Sequence, residues 1–174
     1  RAHEVCGTAK NTFAFMLAAQ IPNTVIYVRE NHRSNILNPS GFANIFDPRR
    51  ILMVYAKTQI DVLAVAEETL RSTAVQMVIY ELTKPISLTA ARRLQLAAQA
   101  GQTLGLGLIQ DGMGSNVAET RWHAAAIFDP DDSTLQRWDI IKNKSGTLGS
   151  WYVRWNSTAH CVDLVSPTGN GSGS

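Results

Sequence analysis

Four short, mostly apolar runs are separated by segments of helical period: "TVIYV" at 24–28, "ILMVY" at 51–55, "MVIYEL" at 77–82 and "TLGLGLI" at 103–109. That alternation constrains the fold more than any other feature of the chain. A strand with one wet face alternates apolar and polar residues, whereas a continuously apolar run is covered on both faces. Covering both faces of several strands calls for helices on either side of a largely parallel sheet, with each strand returning through a right-handed crossover. The chain therefore reads as α/β, doubly wound.

The intervening segments supply the helices. From Asn11 to Ala19, Phe13, Met16 and Leu17 share a face while Ala14, Ala18 and Ala19 allow close approach to a sheet. Ile60, Leu63, Ala64, Ala66 and Leu70 form the next periodic stripe, with Glu67, Glu68 and Arg71 outward. Ser87 is a good N-cap for "LTAARRLQLAAQA", in which Leu88, Ala91, Leu94 and Ala98 face inward, Arg92, Arg93 and Gln95 face out, and Gly101 closes the helix. The segment "NILNPSGFANIFDP" reads as a further short helix bounded by Pro39 and Gly41. Beyond Gln110 the pattern changes: "DGMGSNVAET" is a glycine-rich, mobile loop, and "RWHAAAIF", "STLQRWDIIKNKS", "GSWYVRWNS" and "HCVDLVS" are antiparallel strands extending one edge of the sheet. The expected organisation is a single domain over 1–168, with 169–174, "GNGSGS" from residue 169, a flexible tail or tag remnant.

Composition narrows the classes further. With 174 residues, 45% hydrophobic and 17% charged, the chain has the material for one packed core. A net charge of +2 is too small to announce a nucleic-acid partner, so local basic clusters must carry any such reading. Cys6 and Cys161 sit in strand-like surroundings and are expected to be reduced thiols in the core. No run of about 18 apolar residues and no signal-peptide layout occurs, which predicts a cytoplasmic protein without a membrane segment.

The first strand-loop-helix unit contains "EVCGTAKNTF", a degenerate version of a phosphate-binding loop. A working loop has a glycine at each end of its span and then Lys-Ser/Thr, so that successive N–H groups surround the phosphates. Gly7 has no second glycine, and Asn11 separates Lys10 from Thr12. Lys10 and Thr12 read either as a phosphate lysine and a metal hydroxyl, or as a helix start with Thr or Asn as cap. Glu81, ending the fourth strand, could reach a water on Mg²⁺ or pair with Lys84 or Arg50. Glu30, ending "IYVRE", could orient an attacking water or simply be exposed. All fall at the carboxyl edge of the expected sheet, where open α/β folds bind ligands. His3, His32, His123 and His160 lack the spacing of a zinc site or a catalytic triad. No cofactor is expected: one glycine aligns too few N–H groups to hold ATP and its Mg²⁺ tightly.

The order of these features resembles the RecA-type ATPase core, a mostly parallel central sheet flanked by helices. Within that superfamily the chain is similar to the ImuA family of translesion-synthesis accessory proteins, on "HEV", "FDPRRILMVYAKTQIDVLAVAEETLRS", "YELTKPISLTAARRLQLAAQAG", "TRW" and "GSWYVRWN", from about His3 to Val165. The resemblance implies an adaptor in the SOS mutagenesis response to DNA damage, working with ImuB, RecA and an error-prone replicative-type polymerase, and touching DNA directly or through those partners. A weak RecA-type ATPase and a SulA-like inhibitor that binds FtsZ are the alternatives. Arg92, Arg93, Lys142, Lys144 and Arg154, with whichever tryptophan is exposed, form the candidate partner or DNA surface.

Overall fold

The computed structural model describes residues 1–32 and 37–166. The opening strand β1 (Ala2–Cys6) leads into helix α1 (Lys10–Ala19), and β2 (Val25–Glu30) and β3 (Ile51–Ala56) follow. Helix α2 (Gln59–Arg71), β4 (Met77–Glu81), α3 (Leu88–Ala100) and β5 (Leu104–Leu108) continue the alternation. Four more strands complete the chain: β6 (Thr120–Ala126), β7 (Gln136–Asn143), β8 (Gly149–Asn156) and β9 (Cys161–Val165). Together they form one sheet of nine strands in the order β3-β2-β4-β5-β1-β6-β7-β8-β9.

The α/β architecture, mostly parallel with an antiparallel extension, is the one the sequence predicts. Its first six strands are mutually parallel, and only β7, β8 and β9 run antiparallel to their neighbours. Strand β6, expected with the antiparallel group, pairs with β1 in parallel, Cys6 opposite His123. The chain between β5 and β6 crosses back to the start of β1, where the Glu119 N–H donates to the Ala2 carbonyl, and this sets the direction of β6.

The sheet divides the core in two. On one face Phe13, Phe15 and Met16 of α1 pack with Val5, Tyr27, Ile79 and Leu106 from the strands, joined by Phe42 and Phe46. On the other, Val62, Ala66 and Leu70 of α2 and Leu94, Ala97 and Ala98 of α3 cover Val28, Val78 and Tyr80. Each large side chain so buried contributes about 1.5–3 kcal/mol, so this two-sided covering is what holds β2 and β4 inside the sheet, behind edge strand β3. Capping fixes where α2 and α3 begin: Thr58 and Asp61 form a reciprocal capping box on α2, and Ser87 Oγ accepts the Ala90 N–H at 3.2 Å on α3.

Several local expectations are corrected. The segment around Pro39 forms two 3₁₀ turns, Pro39–Gly41 and Pro48–Arg50, in place of a helix, because each opens on an Asx turn followed by proline; Asn35 and Ile36 lie outside the described residues. Leu88, expected inward, is exposed, whereas Gln95, expected outward, is buried: its carbonyl oxygen accepts the Ala2 N–H at 2.7 Å at the start of β1. Ile60 is likewise exposed, and Glu67 folds down between the helices. Gly101 ends α3 without a left-handed φ; it is required because a Cβ there would lie 1.9 Å from the Leu70 carbonyl oxygen, so the ends of α2 and α3 meet backbone to backbone.

Candidate functional site

The parallel strands β2, β4 and β1 bring Glu30, Glu81 and the Gly7 loop to one edge of the sheet, as the sequence predicts, and β5 brings Ile109 beside them. What they do there differs from a nucleotide site. Gly7 has φ +94°, the left-handed region that favours glycine, and a Cβ at this position would stand 2.3 Å from the Ala124 carbonyl oxygen. The loop is thus clamped to β6. The Ala9 N–H donates to Ala124 O at 2.9 Å and the Lys10 N–H turns back to Gly7 O at 3.4 Å, so both amides are engaged within the protein. Helix α1 starts at Lys10 behind Ala9 with no side-chain cap, which corrects the expectation that Thr12 or Asn11 caps it. Thr12 is half-buried on the first turn.

Lys10 is also engaged. Its Nζ donates to the Ile109 carbonyl at 2.7 Å, tying the first turn of α1 to the end of β5. The ammonium is thus engaged within the protein. Glu81 pairs with neither Lys84 nor Arg50. It accepts the Tyr27 hydroxyl at 2.6 Å and faces the Arg29 guanidinium at 3.6 Å. Arg50 instead donates to the Ile21 carbonyl and lies over the Phe46 ring. Glu30 is buried, with His32 Nε2 at 3.3 Å from its carboxylate.

Arg29 was not among the residues singled out from sequence, although a signal was there. A charged residue inside a strand covered on both faces must have a counter-ion close by. With only 3% of its surface exposed, Arg29 uses Glu81 for this, and its Nε has no hydrogen-bond partner among the described residues. A second buried pair, also missed, organises the glycine-rich loop. Glu4 accepts from Arg121 Nε at 2.9 Å and from the Ser115 N–H at 2.9 Å, and Arg121 Nη2 donates to Ser115 O at 2.9 Å. The loop expected to be mobile is therefore pinned at Ser115. Gly114, at φ +139°, lies directly against the Arg121 guanidinium, which any side chain there would have to displace.

The candidate basic surface is split. Arg92 and Arg93 are exposed on α3, and Arg93 Nε pairs with Glu67 at 2.8 Å. Lys142 donates to the Ala118 carbonyl, and burial first, then Lys144 and Arg121, hold its pKa below the usual lysine value. Lys144 is exposed, and its N–H donates to Glu119 O at 3.0 Å, so the 111–119 loop lies between it and α3. Arg154 pairs with Asp132 at 3.4 Å on the far antiparallel strands. Of the tryptophans, Trp155 is buried, Trp122 and Trp138 pack partly against Phe13, and Trp151 is 36% exposed. Cys6 is buried and Cys161 half-exposed, and both are free thiols.

Among the described residues no helix is long and apolar enough to cross a membrane. No group of three or more His, Cys, Asp or Glu side chains among them could hold a metal ion. No protein-family model matches this chain, and no curated protein matches it either.

Proposed function

We propose that this chain is a RecA-like accessory protein of the ImuA type that acts by binding partners, ImuB and RecA among them, and not by hydrolysing a nucleotide. One observation carries the reading: the lysine and two amides of the loop that would cradle phosphates are committed to Ile109, Ala124 and Gly7. Freeing them for a triphosphate would break those contacts before any new one formed. The neighbouring carboxylate supports the same view, since Glu81 is already held by Tyr27 and Arg29. Error-prone replicative-type polymerase, and DNA through these partners, complete the proposed assembly.

Calorimetric titration with Mg-ATP is expected to show no micromolar binding. Micromolar affinity that disappears in Lys10→Ala would replace the adaptor reading with the weak ATPase. Affinity capture on the full chain from DNA-damaged cells should recover ImuB or RecA; recovery of FtsZ in their place would favour the SulA-like alternative.

A further inference from the structure

We propose that this chain pairs with a second copy of itself across β3, the two strands running antiparallel about a two-fold axis so that two sheets become one. Strand β3 lies at one edge of the sheet and pairs with β2 alone. None of its six residues, Ile51 to Ala56, is charged. A free edge presents a row of unpaired backbone groups, and proteins that keep one in solvent blunt it with a charge, a proline or a bulge. The opposite edge strand does so: Asp163 stands in the middle of β9. Strand β3 has no such device.

The backbone identifies what covers this edge as a strand. The Asn31 N–H donates to Ala56 O at 2.9 Å, so Ala56, and with it Val54 and Leu52, turns its main-chain groups toward β2. Ile51, Met53 and Tyr55 turn theirs outward. The Ile51 N–H is taken by the Pro48 carbonyl, and the other outward groups have no partner among the described residues. With Met53 on the two-fold axis, Met53 of each copy bonds that of the other in both directions, and each Tyr55 N–H meets the second copy's Ile51 carbonyl. Only the Tyr55 carbonyl is left to water, because the Ile51 N–H is already used.

The side chains identify that strand as the chain's own. Leu52 and Tyr55 are 55% and 62% exposed, whereas every residue of neighbouring β2 is buried. In the two-fold register Tyr55 lies across from the second copy's Ile51, and Leu52 across from its Val54, so each exposed side chain faces a β-branched one. No charge meets a charge within the strands. Just beyond them Arg49 falls opposite the second copy's Lys57, and Arg49 is already neutralised by Asp47 at 2.9 Å. Pairing β3 with β9 of another copy would set Asp163 beside apolar side chains and leave a free edge at each end, an open series in place of a closed pair. Helix α2 lies over β2 and β4 more than over β3, which leaves the edge clear on that face.

Sedimentation equilibrium of the full chain, from micromolar concentration upward, tests the pairing, and a dimer is expected. Met53→Pro removes an N–H that a single copy leaves unpaired, and Tyr55→Lys puts a cation at an exposed edge position. Each should weaken the dimer at least tenfold while the far-ultraviolet circular dichroism of the dilute protein stays unchanged; if Met53→Pro disturbs that spectrum, Tyr55→Lys decides. Met53→Cys in a Cys161→Ser background should crosslink the two copies under oxidised glutathione, since residues bonded across an antiparallel pair stand about 5.5 Å apart at Cα, within disulfide reach. A monomer at every concentration, a dimer that Tyr55→Lys does not weaken, an open series of larger oligomers, or a dimer without the Met53→Cys crosslink would each overturn the pairing. None of these results bears on capture of ImuB or RecA, so the adaptor reading stands or falls separately.

Discussion

Gly7 meets two demands that no other residue can meet together, a positive φ and an approach to Ala124 closer than any Cβ permits. Gly7→Ala should therefore destabilise the protein by about 2 kcal/mol or more, read from the midpoint of urea unfolding. At the neighbouring position, burial and then the nearby Asp111 push the Cys6 thiol up to about 11. The thiolate is the reactive form, and partial burial and then Asp163 also hold the Cys161 thiol above its usual value, so native protein at pH 8 should label slowly at Cys161 and more slowly still at buried Cys6, and both should label faster once unfolded. Equal labelling rates in the native state would contradict the burial of Cys6. Lys10 separates structural from catalytic duty most sharply: because its ammonium joins α1 to β5, Lys10→Met should lower stability by about 1–2 kcal/mol, a loss detectable in thermal unfolding without any nucleotide present.

Strands and helices differ in how much of their role could be read from the chain. The continuous apolar character of β2 and β4 announced a covered sheet because only burial on two faces tolerates it, and the capping residues of α3 marked its start. Direction in β6 was not legible, since it depends on where the preceding loop docks, and that docking is made by Glu4, Arg121 and the Ser115 amide, three groups distant in sequence. Gln95 and Glu67 were misjudged for a related reason. A polar side chain goes inward when a particular partner waits there, and periodicity carries no information about partners. The candidate loop was recognised by residue type, but the commitment of Lys10 to a carbonyl is a tertiary fact. Breaking the docking point tests its role: Arg121→Ala leaves the buried Glu4 carboxylate without its cation, which should cost about 3–5 kcal/mol. Hydrogen exchange at the Ser115 amide should accelerate by more than the global loss of stability explains.

At the scale of the whole molecule, the two core layers share their strands, so neither can dissolve without exposing the other's floor. All the tryptophans in contact with a core layer, Trp122, Trp138 and Trp155, belong to the α1 side. Fluorescence thus reports that layer alone, whereas far-ultraviolet circular dichroism reports every helix; the two unfolding curves should coincide, and separated midpoints would show that the layers come apart independently. The meeting of Gly101 with the Leu70 carbonyl has a mechanical consequence for the same pair of helices. Backbone contact fixes the spacing of α2 and α3 at their C-terminal ends, whereas Gln59, Pro85 and Ser87 are among the residues that lie between their N-terminal ends. Gly101→Ala must therefore push the two helices apart at their C-terminal ends, and the strain falls on backbone that has no rotamer in which to turn aside.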